Sequence, residues 1–229
     1  MAKVKLYDTT LRDGAQSEGI SYSVMDKIRI ARELDNLGIH YIEGGWPGSN
    51  PKDMEFYLTM AGKPLKNALM VAFGSTRRPH ISASADNNLK GILKSQARLV
   101  TIFGKTWDLH VKDVLKTTLD ENLKMIKDTI GFLISKGLVV FYDAEHFFDA
   151  YKSNKEYSLK CLLTAQSAGA NYIVLCDTNG GTLTSEITGI VKEIRAKIKV
   201  GLGIHCHNDA DLAVANSIAA VEAGADMVQ

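Results

Sequence analysis

The chain is poor in cysteine and carries almost no surplus charge. Cys161, Cys176 and Cys206 are its only cysteines, an odd number with no CxxC spacing, so no disulfide framework is indicated and a reducing cytoplasm is the expected compartment. No basic-then-apolar leader opens the chain. Lysine and arginine number 27 against 26 acidic residues, a net charge of +1. That balance lacks the concentrated field that recruits nucleic acid or an anionic membrane surface, so neither is an expected partner and a small molecule is.

What is present is enough apolar material for one large core. Of 229 residues, 45% are hydrophobic and 23% charged, a balance that needs no covalent staples. Short β-branched runs alternate with longer segments of helical period: VKLYDT near residue 4, YIEGG at 41, ALMVAF at 68, LVTIFG at 99, LVVFYDAE at 138, YIVLCDT at 172, VGLGIHCH at 200 and DMVQ at the end. Between them, Leu123, Ile126, Ile130 and Leu133, and again Ile187, Ile190, Val191 and Ile194, recur at three- and four-residue spacing and predict amphipathic helices. Gly38, Gly137, Gly169 and Gly224 each stand just before a run, where a left-handed helix C-cap is expected. Eight strand starts at intervals of about 25 to 40 residues predict an α/β TIM (β/α)8 barrel, read as a single catalytic domain over 1–229. The first strand-to-helix turn carries TLRDGAQ and no GxGxxG, which counts against a doubly wound dinucleotide-binding sheet. DMVQ ends inside the eighth strand, and an eighth strand cut short is expected to leave an open edge.

Barrel enzymes place chemistry at the C-terminal ends of their strands, and unusual residues gather there. Asp8 ends strand one, which runs on to Arg12 and Asp13, Glu43 ends strand two, and Asp143, Glu145 and His146 end strand five. Asp177, Thr178 and Asn179 end strand six; His205, His207, Asn208 and Asp209 end strand seven. Helix capping explains Asn179 or Asp209 taken singly; it does not explain all five strands at once. In IHCHND, alternation sends His205 and His207 to one side and Cys206 to the other. Strand seven lies one strand from strand one in a closed barrel, so Asp13 can complete a carboxylate plus two-histidine metal site with open positions.

LRDGAQ, DAEHFFD, LCDTNGG and HCHND together resemble the metal-dependent Claisen condensation family, whose members are TIM barrels. That family holds 2-isopropylmalate, homocitrate and citramalate synthases, with lyases and aldolases as cleaving relatives. FYDAEHFFDAYKSN and LCDTNGGTL most resemble the longer bacterial citramalate synthases. The resemblance implies condensation of acetyl-CoA, as co-substrate, with a 2-oxo acid, pyruvate being the first expectation and another oxo acid or a cleavage reaction the alternative. It implies a divalent cation (Mg, Mn or Zn) held by Asp13, His205 and His207, with Arg12 both binding substrate and stabilising the developing alkoxide. It also implies Thr178 on the oxo-acid carboxylate, Glu145 near the reacting groups, and Gln16 and Glu43 as hydrogen-bonding support. Asp143 and Phe73 are expected to shape the pocket for the oxo acid's side chain.

Two elements of the family pattern find no match. The GxGERxGN segment, whose asparagine approaches the metal, is not found in this sequence, and neither are the later subdomains that supply a general-base histidine and a homodimer interface. His110 and His146 are the internal histidines near strand ends, and no motif gives either the role of base. The 229-residue chain alone is therefore expected to bind metal without turning over acetyl-CoA. A non-haem iron oxygenase shares the ligand set, but the alternating βα pattern speaks against its largely β scaffold.

Overall fold

Each of the eight β-branched runs becomes a strand in the computed structural model, which describes residues 4–229. The strands are β1 (Lys5–Asp8), β2 (Tyr41–Gly45), β3 (Leu69–Ser75), β4 (Leu99–Lys105), β5 (Val139–Glu145), β6 (Tyr172–Asp177), β7 (Gly201–Cys206) and β8 (Met227–Val228). They close in sequence order into a parallel barrel. The helices among the described residues are α1 (Val24–Leu37), α2 (Pro51–Met60), α3 (Asn87–Lys94), α4 (Asp108–Asp113), α5 (Leu119–Ser135), α6 (Phe147–Ser153), α7 (Lys155–Ser167), α8 (Thr184–Lys197) and α9 (Ala213–Glu222). None is long and apolar enough to cross a membrane.

The helical periodicity does what the sequence implies. Ile126, Ile130 and Leu133 of α5 and Ile187, Ile190, Val191 and Ile194 of α8 are buried, within the apolar layer that separates helices from strands. A capping box at Ser23 and Asp26 starts α1. Gly38, Gly137, Gly169 and Gly224 all take positive φ, so the chain turns out of the helix and into the next strand.

The expected open edge at strand eight is absent. Met227 and Val228 pair with Gly203 and Ile204 of β7 and with Lys5 and Leu6 of β1. Two residues suffice, because a strand with a partner on each side satisfies its backbone groups in both directions.

Strand alternation divides the interior into layers. Tyr7, Val71, Leu99, Phe141, Val174, Cys176 and Met227 form one apolar cluster, which plugs the barrel as side chains, leaving no pore. On the same faces, two or more residues further along their strands, stand Glu43, Phe73, Phe103, Asp143, Glu145 and His205. The apolar plug is thus the floor on which the polar groups sit.

A close helix-to-loop approach fixes one wall of that upper layer. A Cβ on Gly91 of α3 would stand 2.5 Å from the Gly48 Cα and 3.0 Å from its nitrogen. Asn88, one turn earlier, accepts from the Trp46 indole and donates to the Ser75 carbonyl. Gly91→Ala should therefore destabilise the fold by about 1–3 kcal/mol through overpacking, although alanine favours a helix by about 1 kcal/mol. Denaturant unfolding followed by tryptophan emission measures this, and an unchanged or higher midpoint would show that α3 can shift freely.

Candidate metal centre and active site

The β1–α1 loop brings Arg12 and Asp13 over the barrel mouth. Thr9 O accepts the backbone N–H groups of Arg12, Asp13 and Gly14, and Asp8 accepts from the Thr10 backbone, so the turn is fixed by its own short-range bonds. A 3-10 turn over Gly14–Gln16 follows.

Asp13 meets the two histidines of strand seven. Its Oδ2 lies 3.3 Å from His205 Nε2 and 3.7 Å from His207 Nε2. The three ligand atoms all fall within 4.8 Å of one another. The imidazoles lie side by side, 5.1 Å apart and tilted by 40°, as strand alternation requires. Nδ1 of His205 donates to the Gln229 side-chain carbonyl at 2.9 Å. An amide oxygen only accepts, so Nδ1 keeps its proton in either charge state; in the protonated ring Nε2 donates to Asp13, and in the neutral ring its lone pair is free for a cation. A carboxylate and two imidazoles converging on one point, with the far side open to a cavity, form a donor set that could hold a divalent cation.

The electrostatics follow from the contacts. Hydrogen bonding to His205 lowers the Asp13 carboxyl to about 2, with Arg12 assisting and burial opposing. Burial alone would depress His205, but the bond to Asp13 and the nearby Asp143 outweigh it and raise it. His207 is lowered, by burial and by its neighbour His205. Asp143 is pushed up to about 7, first by burial and then by Glu43. Its Oδ1 has no hydrogen-bond partner among the described residues.

Arg12 is held from three sides. Its Nε donates to Glu43 Oε2, its NH1 lies 3.4 Å from Asp13, and its guanidinium carbon rests 3.8 Å above the Phe73 ring. Burial works against the charge, yet Glu43 and Asp13 prevail, so its pKa rises further. Glu43 also accepts from the Tyr7 hydroxyl at 2.6 Å, and that hydroxyl is 2.8 Å from Thr101. The supporting hydrogen bonds expected of Glu43 are therefore present. Gln16 lines the cavity without a side-chain bond to these groups.

A cavity of about 280 Å³ gathers Arg12, Asp13, Gln16, Phe73, Asp143, Glu145, Thr178, His205 and His207. Every candidate but Glu43 lines it, and Glu43 lies directly beneath Arg12. Thr178 Oγ1 accepts the His146 backbone N–H at 2.9 Å, which leaves its own proton free to donate into the cavity. Glu145 pairs with Lys105. His110 and His146 pack edge to face, 4.6 Å apart, outside the cavity lining.

Four contributors escaped sequence reading. Trp46 and Phe103 complete an aromatic wall with Phe73, whose ring stacks on Phe103 at 5.3 Å. Gln229 orients His205. Lys27, an ordinary helix residue by pattern, is buried beneath the Arg12 loop. Only Phe103 had a signal, since alternation turns it inward like Phe73, two residues further along the adjacent strand.

Comparison with known proteins bears on this geometry. The HMGL-like family model matches residues 3–229. An (R)-citramalate synthase of Synechocystis sp. is 57% identical over 232 residues, covering 98% of this chain and 42% of the relative. One from Geobacter sulfurreducens is 55% identical, covering 100% of this chain and 43% of the relative. The chain thus spans about two fifths of the length of these relatives. Among solved structures, the Bacillus subtilis HMG-CoA lyase superposes with a TM-score of 0.82 at 18% identity, over 100% of this chain and 76% of that one; this likeness concerns the fold.

The raised pKa of Asp143 makes a signed prediction for the metal-free protein. The native carboxyl holds its proton to about pH 7, while the unfolded one releases it near 3.9. The native state binds more protons in that window, so stability falls as pH rises from about 4 to 7. Asp143→Asn removes this loss. Denaturant midpoints of wild type and variant should diverge in the variant's favour across that window, and parallel curves would show that the carboxyl titrates normally.

Proposed function

The chain belongs to the HMGL-like family, and from that membership we propose that it forms the catalytic barrel of a metal-dependent acyltransferase joining acetyl-CoA to pyruvate to give citramalate. The observation that carries the proposal is the convergence of Asp13, His205 and His207 beside the guanidinium of Arg12. The names of the two citramalate synthases support the choice of acid. Leucine, isoleucine or related amino-acid biosynthesis is the corresponding setting, in the cytoplasm, and the whole protein is read as a homodimer.

Asp13, His205 and His207 would hold a divalent cation of the Mg, Mn or Zn class. Such an ion, when bound, supplies Lewis acidity toward the ketone and carboxylate oxygens of a 2-oxo acid. The remaining work falls to the chain's own side chains. Arg12 presents a fixed positive charge where the ketone oxygen becomes an alkoxide, and because Glu43 already holds it, little reorganisation accompanies the reaction. The Thr178 hydroxyl donates to the oxo-acid carboxylate. Phe73, Phe103 and Trp46 keep water from the acid's methyl group and limit its size. Glu145, held by Lys105, stands beside the reacting groups. In the net reaction the acetyl methyl loses a proton, its carbon bonds to the ketone carbon, the ketone oxygen takes up a proton as a hydroxyl, and water cleaves the thioester to a carboxylate, a proton and the thiol of coenzyme A.

Thiol release by the whole protein tests the assignment. Pyruvate should be the best of a panel including 2-oxoisovalerate and 2-oxoglutarate; a preference for either of those moves the protein to another synthase, and release of acetyl-CoA from a hydroxy-acyl thioester instead makes it a lyase. Arg12→Lys should lower kcat by about a hundredfold, with a smaller change in the KM for pyruvate, because lysine keeps the charge but loses the planar fork.

Metal binding is measurable on this chain directly. Calorimetric titration with manganese should show one site, weakened at least about tenfold in His207→Ala. Equal affinities in two folded proteins would remove strand seven from the site.

A further inference from the structure

The strongest unexplained feature outside the cavity floor is a lysine where a helix face calls for an apolar residue. Lys27 of α1 is 4% exposed. Its ammonium donates to the Leu11 carbonyl at 2.8 Å, to the Gly44 carbonyl at 3.0 Å and to Asp53 Oδ1. An ammonium has three N–H groups, and all three are used. Asp53, from α2, accepts with its other oxygen from the Trp46 backbone at 2.8 Å. Gly45 has φ of +136°, and a Cβ there would fall on the Asp53 carboxylate, so the strand end is shaped around this pair.

The identity of the two carbonyls gives the cluster its meaning. Leu11 precedes Arg12, and Gly44 follows Glu43. One ammonium therefore grips two backbone segments one residue away from each partner of the Arg12–Glu43 ion pair. Burying an ion pair is a poor route to stability, since well-packed apolar residues of similar volume usually serve as well or better. A bridge between two carbonyls is something apolar residues cannot supply.

We infer that Lys27, with Asp53 as its counter-ion, is a positioning residue that sets the spacing between Arg12 on the β1–α1 loop and Glu43 on β2, and so the placement of Asp13. The inference rests on the reading of Arg12 and Asp13 as site residues. Trp46 is drawn into the same arrangement through its backbone, so the clip also ties in the aromatic wall whose Phe73 ring carries the guanidinium.

Two variants separate positioning from scaffolding: Lys27→Met, and Lys27→Met combined with Asp53→Leu, which removes both charges and fills the space. Three readouts apply to the chain: thermal unfolding, manganese affinity by calorimetry, and the Arg12 Nε–H resonance by NMR, assigned by its disappearance in Arg12→Lys. In wild type the Arg12 signal should be shifted downfield and slow to exchange, because Nε–H is bonded to Glu43. The double variant should unfold within a few degrees of wild type yet lose that protected signal and bind manganese at least tenfold more weakly. A folded double variant with an unaltered Arg12 signal would overturn the inference, and failure of both variants to fold would make the clip a structural staple and overturn it too. If wild type binds no manganese while the Arg12 signal responds as expected, the metal reading fails and the positioning role stands.

Discussion

The Arg12–Glu43 ion pair is the contact from which the rest of the site takes its geometry. Removing one partner of a buried pair leaves an uncompensated charge, at a cost of about 3–5 kcal/mol, so the two residues are bound to each other's position. Glu43 has both oxygens engaged, one by Arg12 and one by Tyr7, and is not free to move a proton for a substrate. Arg12, fixed at Nε, keeps its outer nitrogens for Asp13 and the cavity. Phe73 lies flat under the guanidinium, where a cation over an aromatic face is stabilised without a hydrogen bond being used. The pair converts a flexible four-bond side chain into a directed charge.

That fixed pair also sorts the other carboxyl groups. Asp13 sits beside Arg12 and bonds to His205, and is pulled to about 2. Asp143 sits on the other side, buried and facing Glu43, and is pushed to about 7. The two carboxyls on one cavity wall therefore part in proton affinity, because one is bonded to His205 beside a cation and the other is buried from water beside an anion. An acceptor-only group thus stands at the candidate metal position, and a group able to donate stands at the pocket wall.

Much of the fold was readable because its determinants are local. Strand alternation alone put His205 and His207 on one face and Cys206 on the other, and the glycines before each strand announced the helix ends. Asp13 could be joined to the histidines because barrel closure makes strands one and seven near neighbours, a topological fact independent of side-chain detail. Lys27 was not readable: its three acceptors lie 16, 17 and 26 residues away, and nothing in VMDKIRIARELDNL distinguishes it from the exposed Arg29 on the same helix. Trp46 was missed for a similar reason, since its partner Asn88 lies 42 residues away, on the helix after the next strand.

The eighth strand shows how closure and chemistry meet in one place. Its two paired residues bridge β7 and β1, and the ladder continues as Gln229 N donates to the Ile204 carbonyl at 2.9 Å. Strand alternation places Met227 in the apolar plug and sends the Gln229 side chain inward one level higher. There it meets Nδ1 of His205. The tautomer of a candidate ligand histidine thus depends on the register of the strand that closes the barrel, because a slip of one residue would turn Gln229 outward and leave the imidazole free to present either nitrogen. Pairing with β1 on one edge and β7 on the other excludes that slip, so the constraint that seals the sheet also orients the lone pair at the candidate metal position.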